Sequence, residues 1–322
     1  MSSIIPHFDP VKAEEYLENY DFEEIREFVK LLYMRDIRGV SISDPIFLQQ
    51  QEKLLPDLEE GLGPWIEKNK KRTFISFQEV VGFFGNLGLN GTRIPQLVEA
   101  VNHAFSNYQR HDGAFIASSG KINQCANTVF LRAVLALGFA RRDDIRQACK
   151  EYLSFNLNRE GECHVRTDGN PCAYVMVRTL RWLNEFPQEW RDRDYQTTVR
   201  NIQNYLLAND LSTADFPRRY PEPSKNWTKF GYFRSYQSSI FEAAEALVLS
   251  GIHTHPVLQK TLDVIGSYCI NRVTWKPQYT RKHWPLKTLP PQRGKHVGSP
   301  WLTLRGLRIT QNVAPAVSRN IP

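Results

Sequence analysis

The sequence predicts an all-α protein of paired helices, a barrel of hairpins of (α/α)6 type. Three observations predict it. Apolar residues recur at helical spacing in almost every segment, alternating strand-like runs are nearly absent, and two similar stretches open apolar helices 47 residues apart. Those stretches are Asn123-Gln124-Cys125-Ala126 and Asn170-Pro171-Cys172-Ala173. Each runs on into an arginine-bearing segment, Leu131-Arg132-Ala133-Val134-Leu135 and Val177-Arg178-Thr179-Leu180-Arg181, and Leu304-Arg305-Gly306-Leu307-Arg308 echoes them near the C-terminus.

The first helix runs from Phe22 to Arg35, with Phe22, Ile25, Phe28, Val29 and Leu32 on one side and Glu23, Glu24, Arg26 and Lys30 on the other. Asp44-Pro45 opens the second, the Asp as cap and the Pro in the first turn. After Trp65 and the basic run Lys68 to Arg72, Ser76 is the expected cap of a helix to Leu87 that Gly88 ends. Pro95 starts the next, through Val98, Val101, Ala104, Phe105 and Tyr108. Further helices are expected near 124–137, 142–155, 171–184, 194–207, 236–249, 256–270 and 300–311, about six pairs in all.

These helices alternate in character. Those starting near 124, 171, 236 and 300 are rich in small and apolar residues, whereas those near 142 and 194 carry more charge. A buried helix loses its polar face, so the alternation predicts an inner and an outer ring. Six inner helices closing around an axis make a barrel; an open solenoid is the alternative. Residues 76–312 form the expected core, 1–75 an N-terminal helical part that packs on it or completes it, and 313–322 a C-terminal tail.

Composition narrows the function classes. A hydrophobic fraction of 41% in 322 residues can supply a large core, and Gly and Pro usage is ordinary. No stretch approaches the apolar length of a membrane-spanning helix, and the first ten residues lack a secretory pattern, so a cytoplasmic location is expected. Five cysteines are an odd number and argue against a disulfide framework; they are expected to be reduced, buried or metal-bound. The net charge of +7 is spread along the chain without the dense stripe that nucleic acid requires, so no nucleic acid is expected. The charge suits a solvated basic surface, or a basic mouth that attracts an anionic small molecule.

The segment Gln109-Arg110-His111-Asp112-Gly113-Ala114-Phe115 resembles the Gln-x-x-x-Gly-x-Trp motif of squalene and hopene cyclases, with Phe115 in place of Trp. Arg159-Glu160-Gly161-Glu162-Cys163 is a degraded copy one repeat later, and the segments at Trp227–Phe233 and Gly298–Arg305 are similar to the end of prenyltransferase and squalene-oxidase repeat proteins. The resemblance covers about residues 75–312. It implies the α/α toroid shared by terpenoid cyclases and protein prenyltransferase β subunits, and an isoprenoid or other apolar small molecule in its cavity. Physically, the glycine permits a tight turn, the Asp caps local amides, and the ring closes the gap between hairpins. Two motifs of the known enzymes are missing. No Asp-x-Asp-Asp occurs, and the prenyltransferase Asp-x-Cys is replaced by Asn123-x-Cys125 and Asn170-x-Cys172.

Candidate site residues follow from that frame. Cys125 and Cys172 each sit at the start of an inner helix and the pair Cys163-His164 in the loop between those helices, and three thiolates with an imidazole suit zinc; small buried hydrophobes at helix starts are the alternative. Asp112, Glu162 and Asp168 lie on the same loops as candidate general acids, or as caps of turns. Tyr174, Tyr232, Phe233, Tyr236 and Trp301 are candidates to line the substrate cavity, and Arg218 and Arg219 to hold a diphosphate. Three functions are compatible with these residues: an enzyme of terpenoid-cyclase or prenyl-transfer type, a non-catalytic toroid that binds a ligand or a protein partner, or a zinc-dependent enzyme that modifies thiols or peptides. Peripheral membrane contact fits an isoprenoid ligand.

Overall fold

A computed structural model describes residues 4–20, 23–70, 74–116, 122–157, 171–213, 227–231, 238–278 and 298–313. Among them are thirteen α-helices and one two-stranded sheet, so the chain is all-α. The helices are α1 (Pro10–Glu18), α2 (Glu23–Asp36), α3 (Pro45–Glu52), α4 (Leu55–Lys70), α5 (Phe74–Gly85), α6 (Pro95–Tyr108) and α7 (Gln124–Ala136). After them come α8 (Asp143–Leu157), α9 (Ala173–Leu183), α10 (Arg193–Leu207), α11 (Ile240–Leu249), α12 (Pro256–Ser267) and α13 (Pro300–Val313).

The expected starts hold where a cap is present. Asp44 accepts from the amide of Ile46 with Pro45 in the first turn, Asn123 accepts from Ala126, and Asp192 accepts from Tyr195. Elsewhere the boundaries move. Helix α5 begins at Phe74, so Ser76 lies in its first turn and is not its cap. Helix α11 begins at Ile240, later than 236, because Ser239 and Glu242 form a reciprocal capping box there. Helix α12 stops at Ser267, short of 270, because Cys269–Ile270 (β1) and Thr274–Trp275 (β2) pair antiparallel through a turn with Asn271 and Arg272 at positive φ.

Two helices went unread in the sequence. Helix α1 is short, capped by Asp9, and buries Ala13 and Leu17. Helix α4 contains Gly61, Gly63 and Pro64, residues that ordinarily break helices. Its apolar face, Leu58, Leu62 and Ile66, is buried in the core and holds it against α5 and α6.

Burial separates the helices as the alternation predicted. Every residue of α7 and every residue of α9 is buried, whereas α10 buries Tyr195, Thr198, Val199, Ile202 and Leu206 on one face. The buried helices pack in order: α5 on α7, α7 on α9, α9 on α11, α11 on α13, and α13 on α2. The amphipathic helices lie against them, α6 on α5, α10 on α9 and α12 on α11, and α8 touches α10. Backbones meet where α5 crosses α7, since a Cβ on Gly85 would lie 2.5 Å from the Cβ of Ala133. The N-terminal helix α1 packs on α13 and α2, with the Tyr16 hydroxyl donating to the carbonyl of Gly298. No helix among the described residues is long and apolar enough to cross a membrane.

Candidate functional site

A column of charged side chains runs between the buried helices. Helix α2 ends on Arg35-Asp36, α7 carries Arg132, α9 carries Arg178 and Arg181 with Glu185 just beyond its end, α11 carries Glu242 and Glu245, and α13 carries Arg305 and Arg308. Three of these helices use pairs spaced i, i+3, which puts both members of each pair on one face.

The contacts cross from helix to helix. Arg181 donates to Glu242 in direct contact, and Arg305 Nε donates to Glu245 Oε2 at 3.0 Å. Arg308 Nη1 reaches Glu245 Oε1 at 3.1 Å and Asp36 Oδ2 at 3.4 Å, joining α13 to α11 and to α2. Arg132 pairs with Glu185 at 3.0 Å and donates to Asn86 at 2.8 Å. Arg35 grips the carboxylate of Asp36 at 2.6 and 3.1 Å. Exposure falls inward: 24% of the Glu185 side chain and 19% of Arg308 are accessible, against 3% of Glu245.

Charge and burial shape every member. Burial alone would raise the carboxyl of Asp36, but Arg308, Arg35 and Arg132 hold it down at about 2. Glu245 is likewise pushed up by burial and pulled lower, on balance, by Arg305, Arg308, Arg181 and Arg132. Arg181 is lowered to about 10, chiefly by burial and then by Arg132. Arg178 is lowered by burial, and Glu242 is the strongest opposing charge. Among the described residues six arginines, Arg35, Arg132, Arg178, Arg181, Arg305 and Arg308, and four carboxylates, Asp36, Glu185, Glu242 and Glu245, make up the column. Buried charge is stable only when paired.

Several expected site residues stand at one end of this column. Tyr174 lies one turn before Arg178 and Trp301 one turn before Arg305, on the stripes that carry the arginines. Both are buried, and the Tyr174 ring meets Trp227 edge-on at 5.8 Å. Cys125 lies two turns before Arg132, and its thiol is an electrostatic neighbour of Arg178. Cys172 is the N-cap of α9, buried like Cys125. Asp112 is occupied with its own turn: it pairs with Arg110 at 2.9 Å and accepts from the amide of Ala114 at 3.2 Å. Glu162, Cys163, His164, Asp168, Arg218, Arg219, Tyr232, Phe233 and Tyr236 lie outside the described residues.

Among the described residues no three His, Cys, Asp or Glu side chains are grouped to hold a metal. Among the described residues, Cys125, Cys149, Cys172 and Cys269 are not joined to one another by disulfides. The aromatic motif residue Phe115 is fully buried between helices, against Phe74, Phe105 and Phe130 with centroids 5.1, 5.1 and 4.8 Å away. Its ring therefore serves packing.

The arginines of the column were visible in the sequence only as an echo between repeats. Their i, i+3 recurrence at 178/181 and 305/308, against Glu242 and Glu245 on the helix between, was the available signal. No protein-family model and no curated protein matches this sequence.

Proposed function

We propose that the chain is an (α/α)6-type toroid that binds an apolar or isoprenoid molecule carrying an acidic head, and that it does so as a binding protein rather than an acid catalyst. The packing order supports the ring. Helices α5, α7, α9, α11, α13 and α2 are consecutive neighbours, and Leu32 of α2 lies against the turn at Gly88 that ends α5. On this reading α4, α6, α8, α10 and α12 are the outer helices.

The observation that carries the ligand class is the setting of Arg178. Burial and the charges of Arg181 and Arg305 act against its positive charge while Glu242 supports it, and Tyr174 stands one turn above it. An acidic head beside Arg178 relieves that opposition, while an apolar tail meets Tyr174 and Trp301. The reading against acid catalysis rests on Asp36 and Glu245, which their arginines keep ionised, and on the missing Asp-x-Asp-Asp.

Tryptophan fluorescence titration tests this with farnesyl diphosphate, farnesol and inorganic diphosphate. The expected result is tightest binding of farnesyl diphosphate, weakened at least about tenfold by Arg178→Gln while farnesol is unaffected. Equal binding of farnesol and its diphosphate, or the appearance of a cyclised or transferred product, rejects it.

A second reading adds zinc on Cys125, Cys172, Cys163 and His164, with thiol or peptide chemistry. It is favoured by two thiols at the starts of helices α7 and α9, which pack together. Elemental analysis decides it: about one zinc per chain, lost on Cys125→Ser or Cys172→Ser, is the expected result, and metal-free protein of unchanged stability removes it.

A further inference from the structure

At the end of the column away from Tyr174 and Trp301, we infer a binding site for a small oxyanion of the phosphate class, formed by Arg35 of α2, Arg132 of α7 and Arg308 of α13 around Asp36. These contacts hold whether or not the ring closes, and the inference is independent of the ligand proposed above.

The geometry starts at Arg35. Its Nε and Nη2 are both spent on Asp36, at 2.6 and 3.1 Å, while its Nη1 is shielded from solvent and has no hydrogen-bond partner. A buried guanidinium N–H without an acceptor is costly to keep, so a retained one points to an acceptor that comes and goes. Asp36 is itself shared, because Arg308 Nη1 lies 3.4 Å from its other oxygen. Arg132 is fixed in place by Glu185 at 3.0 Å and Asn86 at 2.8 Å, and it acts electrostatically on the same Asp36.

Charge then selects the ligand. Three guanidinium groups meet the carboxylates of Asp36 and Glu185 here, one more cation than anion. An oxyanion adds the acceptor that Arg35 Nη1 lacks. A tetrahedral oxyanion also offers several acceptor oxygens, which guanidinium groups engage as forked pairs, whereas chloride offers one point charge. Access is from this end: the side chains of Glu185, Arg308 and Arg35 are 24, 19 and 16% exposed.

The test uses the full chain at low ionic strength, titrated with inorganic phosphate, sulfate and glycerol phosphate by calorimetry and by phosphorus NMR line broadening. The expected result is saturable binding of phosphate at one per chain, competition by sulfate, and none by chloride at equal ionic strength. Tighter binding of glycerol phosphate than of phosphate assigns the site to a phosphate monoester, and the reverse to the free ion. Arg35→Gln should weaken binding about tenfold or more, and Arg142→Gln, on the exposed pair with Asp144, should leave it unchanged. If Arg35→Gln does not fold, Arg35→Lys keeps the charge without the fork and should still lose affinity. Failure of phosphate and sulfate to saturate wild-type protein below about 10 mM overturns the site, as does binding that Arg35→Lys leaves intact.

Discussion

Arg305 Nε donates to Glu245 Oε2 at 3.0 Å, and this contact ties α13 to α11 at the deepest carboxylate of the charged column. Glu245 also meets Arg308 at 3.1 Å and lies 4.0 Å from Arg181, so one side chain answers three cations. Removing one partner of a buried ion pair leaves its cations uncompensated, which costs about 3–5 kcal/mol. Glu245→Gln should therefore lower the chemical-denaturation free energy by that amount. A Glu245→Gln, Arg305→Leu double variant should cost clearly less than the same two changes made singly and summed, because the double change removes charges of both signs. Equal losses would show the pair to be uncoupled.

Acid should release Asp36. Its folded carboxyl titrates at about 2, against 3.8 unperturbed, so the folded state holds it ionised where the unfolded state has begun to protonate. The stability from that shift is present above pH ~4, is lost as the pH falls from about 4 to 2, and amounts to ~2 kcal/mol. Denaturation free energies across that window should show a steeper fall for wild type than for Asp36→Asn, which lacks the titrating group. Parallel curves would mean that Asp36 is not held by its arginines.

Gly113 has no room for a side chain. It sits at φ +73°, and a Cβ would lie 2.4 Å from the carbonyl oxygen of Ala148 and 2.8 Å from the amide nitrogen of Tyr152, both backbone atoms of α8. Gly113→Ala should destabilise by at least about 2 kcal/mol, from the left-handed conformation and from displacement of α8. Thermal unfolding measures it, with Gly251→Ala, at φ +98° but with open space around it, as the milder comparison.

Asn127 clasps the backbone of the motif residue Phe115. Its Oδ1 accepts from the Phe115 amide at 2.6 Å and its Nδ2 donates to the Phe115 carbonyl at 2.9 Å, all in a fully buried setting. Asn127→Leu should leave both backbone groups without that partner and cost about 2–4 kcal/mol. Asn127→Asp should fail in the same assay, since a carboxylate accepts from the amide but cannot donate to the carbonyl.

Much of this architecture was legible because it is local. The cap at Asp44, the helix starts near 124 and 194, the turn at Gly113 and the contrast between α7 or α9 and α10 are properties of short segments, and short segments carry their own signal. The misses were places where distant residues overrule local preference. Helix α4 keeps its Gly and Pro because Leu58, Leu62 and Ile66 are buried in the core, and α12 stops where a hairpin pairs Cys269 with Trp275.

The site divides in the same way. The sequence by itself determined that helices would alternate between buried and amphipathic, that Cys125 and Cys172 would begin related helices, and that arginines would recur at fixed places within them. Tertiary structure alone decided that Arg181 answers Glu242 from 61 residues away, that Arg308 joins Asp36 to Glu245, and that Asp112 is spent on its own turn. The physical reason is range: a hydrophobic period acts within one helix, whereas a buried charge takes its meaning from whichever opposite charge the packing brings to it.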